Sequence, residues 1–354
     1  MALPIAALVT SFIVCFLIIP IIIQYSLKRN LGDIPGRRKI HKKVTPSMGG
    51  VAIFFGFMIS CLIWMSYDQW MQVKFVFVAL SIMFFTGLRD DVVPLKPRIK
   101  LLGQLVAAGV LVLSEVRLHS FYGILHVGSI PDYVSYPLTI FTVIIITNSF
   151  NLIDGLDGLA GTLASISFTA FGVWFFLIGD FTFSILCFSV LGALIAFLRF
   201  NWEPSTIFMG DTGALTVGML LGVMAIHLIH QNYYLPADNP YLFTGSVSTG
   251  VCFILVPLLD TLRIIILRLT KRQSPFKPDK SHVHHAILRL GLPHSKTTIV
   301  LGGIQILFIA VAISFHKMYD KYLIFGVVAL ATILSVTLDR LIIRKLKKGE
   351  KSLT

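Results

Sequence analysis

The chain has 354 residues, 56% of them hydrophobic and only 13% charged, with a formal net charge of +13. Soluble domains carry about 25% charged residues, so a soluble fold is excluded and a multi-pass membrane protein is expected. The positive charge needs no nucleic acid partner, because lysine and arginine in cytoplasmic loops set orientation and each attracts anionic headgroups by about 1 kcal/mol near the surface.

A membrane core of about 30 Å needs around 20 helical residues, and apolar runs of roughly that length recur from end to end. They predict an all-α polytopic bundle of about eleven transmembrane helices. In chain order these lie near Pro4–Gln24, Gly49–Tyr67, Lys74–Leu88, Leu101–Val116, Tyr136–Phe150, Leu159–Ile178, Phe181–Phe200, Ala214–His230, Gly245–Leu269, Thr297–Phe315 and Tyr322–Ile343. The third to fifth runs are short, so about ten is the rival count. Basic residues follow the first run and do not precede it, so it is read as a retained helix and not a cleaved leader. One membrane domain is expected over residues 1–344, with residues 345–354, KLKKGEKSLT, as a disordered basic cytoplasmic tail.

Orientation follows from the basic residues. With the amino terminus outside, the inner loops hold Lys28, Arg37, Lys42, Lys43, Arg89, Lys96, Lys100, Arg199 and the cluster from Arg268 to Lys296, while the outer loops keep Lys74, Arg117, Lys317 and Lys321. That asymmetry places the carboxyl terminus in the cytoplasm. Cys15, Cys61, Cys187 and Cys252 all fall inside the apolar runs, which argues against disulfides and a cysteine metal site. The stretch 117–128 alternates and suggests a small external hairpin.

Carboxylates are costly near hydrocarbon and are kept there for ions or substrates. In this topology Asp90 and Asp91 close the third span, Asn151, Asp154 and Asp157 follow the fifth, Asp211 precedes the eighth and Asp260 lies late in the ninth. All reach the cytoplasmic face, which argues for one site. Hard oxygen donors suit Mg²⁺, which binds through one or two carboxylates plus substrate phosphates, with Mn²⁺ as a substitute. Basic residues beside the acids, among them Lys42, Lys43 and Lys100, complement an anionic nucleotide. Gly155, Gly158 and Gly161 permit tight turns, and the helix starting near Leu159 offers its amino-terminal end to phosphate. His282, His284 and His285 fall within four residues of one inner loop. Lacking a companion cysteine or HExxH element, they fit diphosphate contact better than zinc.

The segments HKKVTPSMGGVAIF (41–54), GLRDDVVPLKPRIKLLGQ (87–104), NSFNLIDGLDGLAGT (148–162), RFNWEPSTIFMGDTGAL (199–215) and the stretch from Pro257 to Gly291 ending in DKSHVHHAILRLG together resemble the polyprenyl-phosphate N-acetylhexosamine-1-phosphate transferases. The resemblance implies a bacterial inner-membrane enzyme with ten or eleven spans, a cytoplasmic cleft and Mg²⁺ dependence. The implied reaction joins undecaprenyl phosphate to the sugar phosphate of a UDP-N-acetylhexosamine, releases UMP and starts a cell-wall, lipopolysaccharide or related polymer. It leaves room for a homodimer. The histidine loop is similar to that of the N-acetylglucosamine branch, with the phospho-N-acetylmuramoyl-pentapeptide transferases as the alternative.

Carried over by position, the resemblance gives Mg²⁺ to Asp211 with Asn151, Asp90 or Asp91, and leaves open whether Asp90 binds metal or takes a proton. It assigns uracil to Asp157, with Asn201 beside it and Phe208 stacking. Lys100, His282, His284 and His285 are to hold diphosphate and sugar, Lys42 and Lys43 form a basic loop, and Asp154 is an orienting or contacting residue. Bland readings stand beside these: Asp260 and Arg263 as an interfacial ion pair, Phe208 as packing, and His227 and His230 as outer-end residues without chemistry. A transporter also fits intramembrane acids and glycine-broken helices, although the acids gather at one face and not at the midplane.

Overall fold

A computed structural model of the chain describes residues 1–29, 45–114, 116–124, 128–270, 272, 283, 287–288 and 290–351. Within α12 the side chains of residues 339 and 342–351 are excepted. Lys42, Lys43, His282, His284 and His285 lie outside the described residues.

Among the described residues the chain forms twelve α-helices and no strand: α1 Ala2–Lys28, α2 Gly49–Trp64, α3 Tyr67–Val92, α4 Pro97–Leu111, α5 Asp132–Ile153, α6 Leu159–Leu177, α7 Phe181–Asn201, α8 Gly210–Tyr234, α9 Ser246–Cys252, α10 Leu255–Thr270, α11 His294–Ser314 and α12 Asp320–Lys351. Eight are long and apolar enough to cross a membrane, or nine if α9 and α10 count as one span. Helices therefore stand at every expected position. By length, however, α2 with 16 residues and α4 with 15 fall short of a crossing, since about 1.5 Å per residue gives them only some 24 Å.

Local chemistry explains the boundaries. Ser66 and Gln69 form a reciprocal capping box at the start of α3, so α3 begins well before the expected Lys74. Pro97 sits in the first turn of α4, where its missing N–H costs nothing. Asp180 caps α7 by accepting from the Phe183 N–H. The expected hairpin at 117–128 reduces to one antiparallel bridge between Ser120 and Ser129. The terminal tail is also not as expected: α12 continues to Lys351, because Lys, Leu and Glu are good helix formers.

The ninth expected span is broken. α9 and α10 meet at 88°, and the backbone groups freed at the break are satisfied inside the bundle. Gln305 donates to the Cys252 and Phe253 carbonyls and accepts from the Val256 N–H, while Ser167 donates to Phe253. Gln305 is wholly buried, which is how non-helical backbone survives at membrane depth.

α8 is the central helix, with its apolar window entirely buried, whereas α1 and α12 are mostly exposed on the outside of the bundle. Glycines let its first turn touch its neighbours backbone to backbone. A Cβ on Gly50 of α2 would lie 2.0 Å from the Gly213 nitrogen.

At the far end of α8, His227 is buried against Asp180, with Nε2 2.7 Å from Oδ2, and stacks on Phe183. This is a structural pair remote from the acid motifs. His227→Ala is expected to destabilise the protein by about 1–3 kcal/mol, the cost of stranding a buried partner, while turnover per folded molecule stays within about twofold. Thermal unfolding and kcat measured on the same sample check both halves.

Candidate active site at one end of the bundle

The carboxyl ends of α3 and α5 and the amino ends of α4, α6, α8 and α11 meet at one end of the bundle, and the acid motifs come with them. Lys100 of α4 reaches between α3 and α8, with its Nζ 3.1 Å from Asp90 Oδ2 and 2.6 Å from Asp211 Oδ1. The other Asp90 oxygen accepts the Leu95 N–H, which closes the turn after α3. Burial works against the Lys100 ammonium, yet Asp211 and Asp90 more than offset it and hold its pKa above the ordinary lysine value.

Asp91 has a different occupation from its neighbour. Its Oδ1 accepts the Asp211 N–H at 2.8 Å, and its Oδ2 accepts both the N–H and the hydroxyl of Thr212. A carboxylate there satisfies donors that a helix start leaves open and complements the positive end of its dipole. Asp91 therefore anchors the α8 start, with both oxygens engaged. Gly210 makes the approach possible: its φ is +72°, and a Cβ would meet the Ser47 carbonyl oxygen at 2.1 Å. The segment ahead of it is held by backbone hydrogen bonds between Phe208 and both Pro46 and Gly49, and between Met209 and Gly50. Phe208 is half-buried in that segment.

Asp154 ends α5, one turn after half-buried Asn151. Burial, and then the charges of Asp211, Asp91 and Asp157, push its carboxyl up to about 7. Four acids thus feel one another at this site. Because the folded-state pKa lies above the unfolded value, the folded protein binds more protons between about pH 4 and pH 7, and rising pH costs stability through that window. In the presence of a chelator, the Tm advantage of Asp154→Asn over wild type is expected to widen from pH 5 to about pH 7.5 and then level off. A constant difference across that range would contradict the assignment.

Asn201 stands beside Asp157, as expected. Buried at the end of α7, it accepts the Gly158 N–H through Oδ1 and donates to the Ile207 carbonyl through Nδ2. It clips the loop before α6 to the loop before α8. Asp157 lies alongside, with its Oδ2 near the Ser205 N–H at 3.4 Å and His294 Nδ1 at 3.7 Å. Asp260, buried in α10, accepts the Val283 N–H at 2.7 Å, so it ties down the residue between His282 and His284 in the sequence. Arg263 meanwhile donates to Ser335.

Among the described residues no group of three or more His, Cys, Asp or Glu stands ready to hold a metal ion. The donor set still fits Mg²⁺, which takes one or two protein carboxylates and keeps its other positions for water and substrate phosphate. Asp90 Oδ2 and Asp211 Oδ1 already share one cationic centre in Lys100.

The family profile for "Glycosyl transferase family 4" matches residues 73–229. A Bacillus subtilis (strain 168) protein named "Probable undecaprenyl-phosphate N-acetylglucosaminyl 1-phosphate transferase" is 31% identical over 312 residues, covering 86% of this chain and 82% of that protein. The chain belongs to glycosyl transferase family 4. Similar relatives in this family include the "Decaprenyl-phosphate N-acetylglucosaminephosphotransferase" of Mycolicibacterium smegmatis, 32% identical over 75% of this chain and 71% of that protein. The "Undecaprenyl-phosphate alpha-N-acetylglucosaminyl 1-phosphate transferase" of Yersinia pestis is 28% identical, covering 78% of this chain and 75% of that protein. The matched region runs from α3 to α8, so it contains the Asp90–Lys100–Asp211 constellation of this family 4 chain.

The sequence reading missed Glu203, Ser205, Gln305 and His294. For His294 there was a signal: it opens an apolar run at the same end of the spans as the acids, next to Pro293.

Proposed function

We propose that the protein transfers N-acetylglucosamine 1-phosphate from UDP-N-acetylglucosamine to undecaprenyl phosphate, releasing UMP and starting a lipid-linked envelope polysaccharide. The observation that carries this reading is Lys100 held between Asp90 and Asp211 at the buried start of α8, together with the names of the family relatives. We place the site on the cytoplasmic face of a bacterial inner membrane, with the amino terminus outside and eleven crossings, the short α2 and α4 among them spanning where the bilayer thins around them. Helices at all eleven expected positions and the inner bias of Lys and Arg support this arrangement.

In the transfer, an oxygen of the lipid phosphate attacks the sugar-linked phosphorus, that phosphorus parts from the bridging oxygen, and UMP leaves with the bond's electrons. A phosphate monoester with a second pKa near 6 is already mostly ionised at neutral pH, so a general base gains little and a single displacement is favoured. Mg²⁺ held by Asp211 and Asp90 would neutralise developing charge on the phosphoryl oxygens. Lys100, kept protonated by its two carboxylates, offers a mobile cation to the diphosphate. Asp91 and Gly210 hold Asp211 in place, Asp154 stands behind it, and Asp157 with Phe208 is assigned to the uracil. His282, His284 and His285, with Lys42 and Lys43, are assigned to the diphosphate side by resemblance.

Incubating the purified protein with undecaprenyl phosphate, UDP-N-acetylglucosamine and Mg²⁺ should yield UMP and a lipid-linked sugar diphosphate. Turnover of UDP-N-acetylmuramoyl-pentapeptide in place of UDP-N-acetylglucosamine would overturn the sugar assignment. Absence of UMP with every UDP-sugar would overturn the reaction.

A further inference from the structure

The amino end of α11 touches the site from a side that the chemistry above does not use. Three neighbouring residues of α11 bind two different loops. His294 Nδ1 faces Asp157 Oδ2 at 3.7 Å, the Ser295 N–H donates to Glu203 Oε2 at 2.7 Å, and Thr298 Oγ1 donates to the Asp157 carbonyl oxygen at 3.1 Å. Glu203 lies in the α7–α8 connection and Asp157 in the α5–α6 connection. The Ser295 N–H holds the Glu203 carboxyl below the usual range, so His294 stands between two anionic groups at a helix end that favours them.

Burial makes this arrangement consequential. Asp157 is only 3% exposed and His294 8%, so the rotation of the carboxylate is set by the groups packed around it. His294 and Ser205 both approach Oδ2. At 3.7 Å His294 Nδ1 lies just beyond hydrogen-bond length of Oδ2, a polar contact that a small rotation of either group closes and that is lost when the carboxylate turns away.

We infer that His294 is a positioning residue for the nucleotide donor, fixing the rotation of the Asp157 carboxylate that is assigned to the uracil. The inference rests on the transferase reading above. His294 acts through Asp157 and takes no part in the displacement, so its loss bears on donor binding and spares the chemical step. Acceptor affinity is expected to be unaffected.

The test compares His294→Gln with His294→Asn in the full-length protein. The Asn amide nitrogen overlays Nδ1 of the imidazole and keeps an N–H facing Oδ2, whereas the Gln amide overlays Nε2 and leaves Oδ2 with the Ser205 N–H alone. His294→Gln is expected to raise both the donor KM and the UMP inhibition constant about tenfold, with kcat and the acceptor KM within about twofold. His294→Asn is expected to recover the donor KM to within about threefold of wild type. The double variant His294→Gln/Asp157→Asn should be no worse than Asp157→Asn alone, because residues acting as a unit are not additive. Equal donor KM for wild type and His294→Gln would overturn the proposal, as would full additivity or a parallel loss of acceptor affinity. If His294→Gln does not accumulate, His294→Ala replaces it in the same comparison with Asn. Wild-type protein that yields no UMP would sink the transferase reading instead, so the two failures are distinct.

Discussion

Asp211→Asn is expected to lower kcat at least about a hundredfold while leaving the folded protein intact. The side chain keeps its size, and the residue's backbone N–H still donates to Asp91 at 2.8 Å, so the start of α8 should not move. What is lost is the charge that faces Lys100 at 2.6 Å and would help to hold Mg²⁺. Removing one preorganised electrostatic partner from an active site typically costs about 10²–10³ in kcat. Single-turnover rates with saturating substrates, together with a melting curve, separate the chemical loss from unfolding. Activity within a few-fold of wild type would take Asp211 out of the site.

Gly210→Ala is expected to be as damaging by a different route. At φ +72° a side chain pays about 1–2 kcal/mol for the left-handed backbone. Here the added carbon would also press on the Ser47 carbonyl at 2.1 Å and on both Asp91 oxygens at 2.7 and 2.9 Å. Those oxygens hold the α8 start, so relief of the clash must displace Asp211. Turnover is expected to fall about a hundredfold and Tm by several degrees. Gly179→Ala is the matched control, since its φ is +84° and its Cβ would meet nothing within 4 Å. It should show the modest backbone cost with activity kept. If the two variants behaved alike, close packing at Gly210 would not be what positions the site.

The acids illustrate how far a linear reading reaches. That Asp90, Asp154 and Asp211 belong together was legible from topology alone, because alternating spans bring those motif ends to one face. That adjacent Asp90 and Asp91 divide their work was not legible. Both are carboxylates at a helix end, and only the position of the α8 start shows that one holds a helix while the other shares a lysine. Asn201 is a similar case: its motif position gave no sign that it ties the loop at Gly158 to the loop at Ile207.

The amino-acid sequence by itself determined that this is a helical membrane protein of glycosyl transferase family 4 type, where its helices lie and that its acids gather at one end of them. These follow from transfer free energy and charge placement, which act residue by residue along the chain. Only the tertiary structure decided the break between α9 and α10, the grip of Asp260 on Val283 and the seat of His294 against Asp157. Each depends on a polar atom finding a partner many residues away, and hydropathy carries no record of which partner that is.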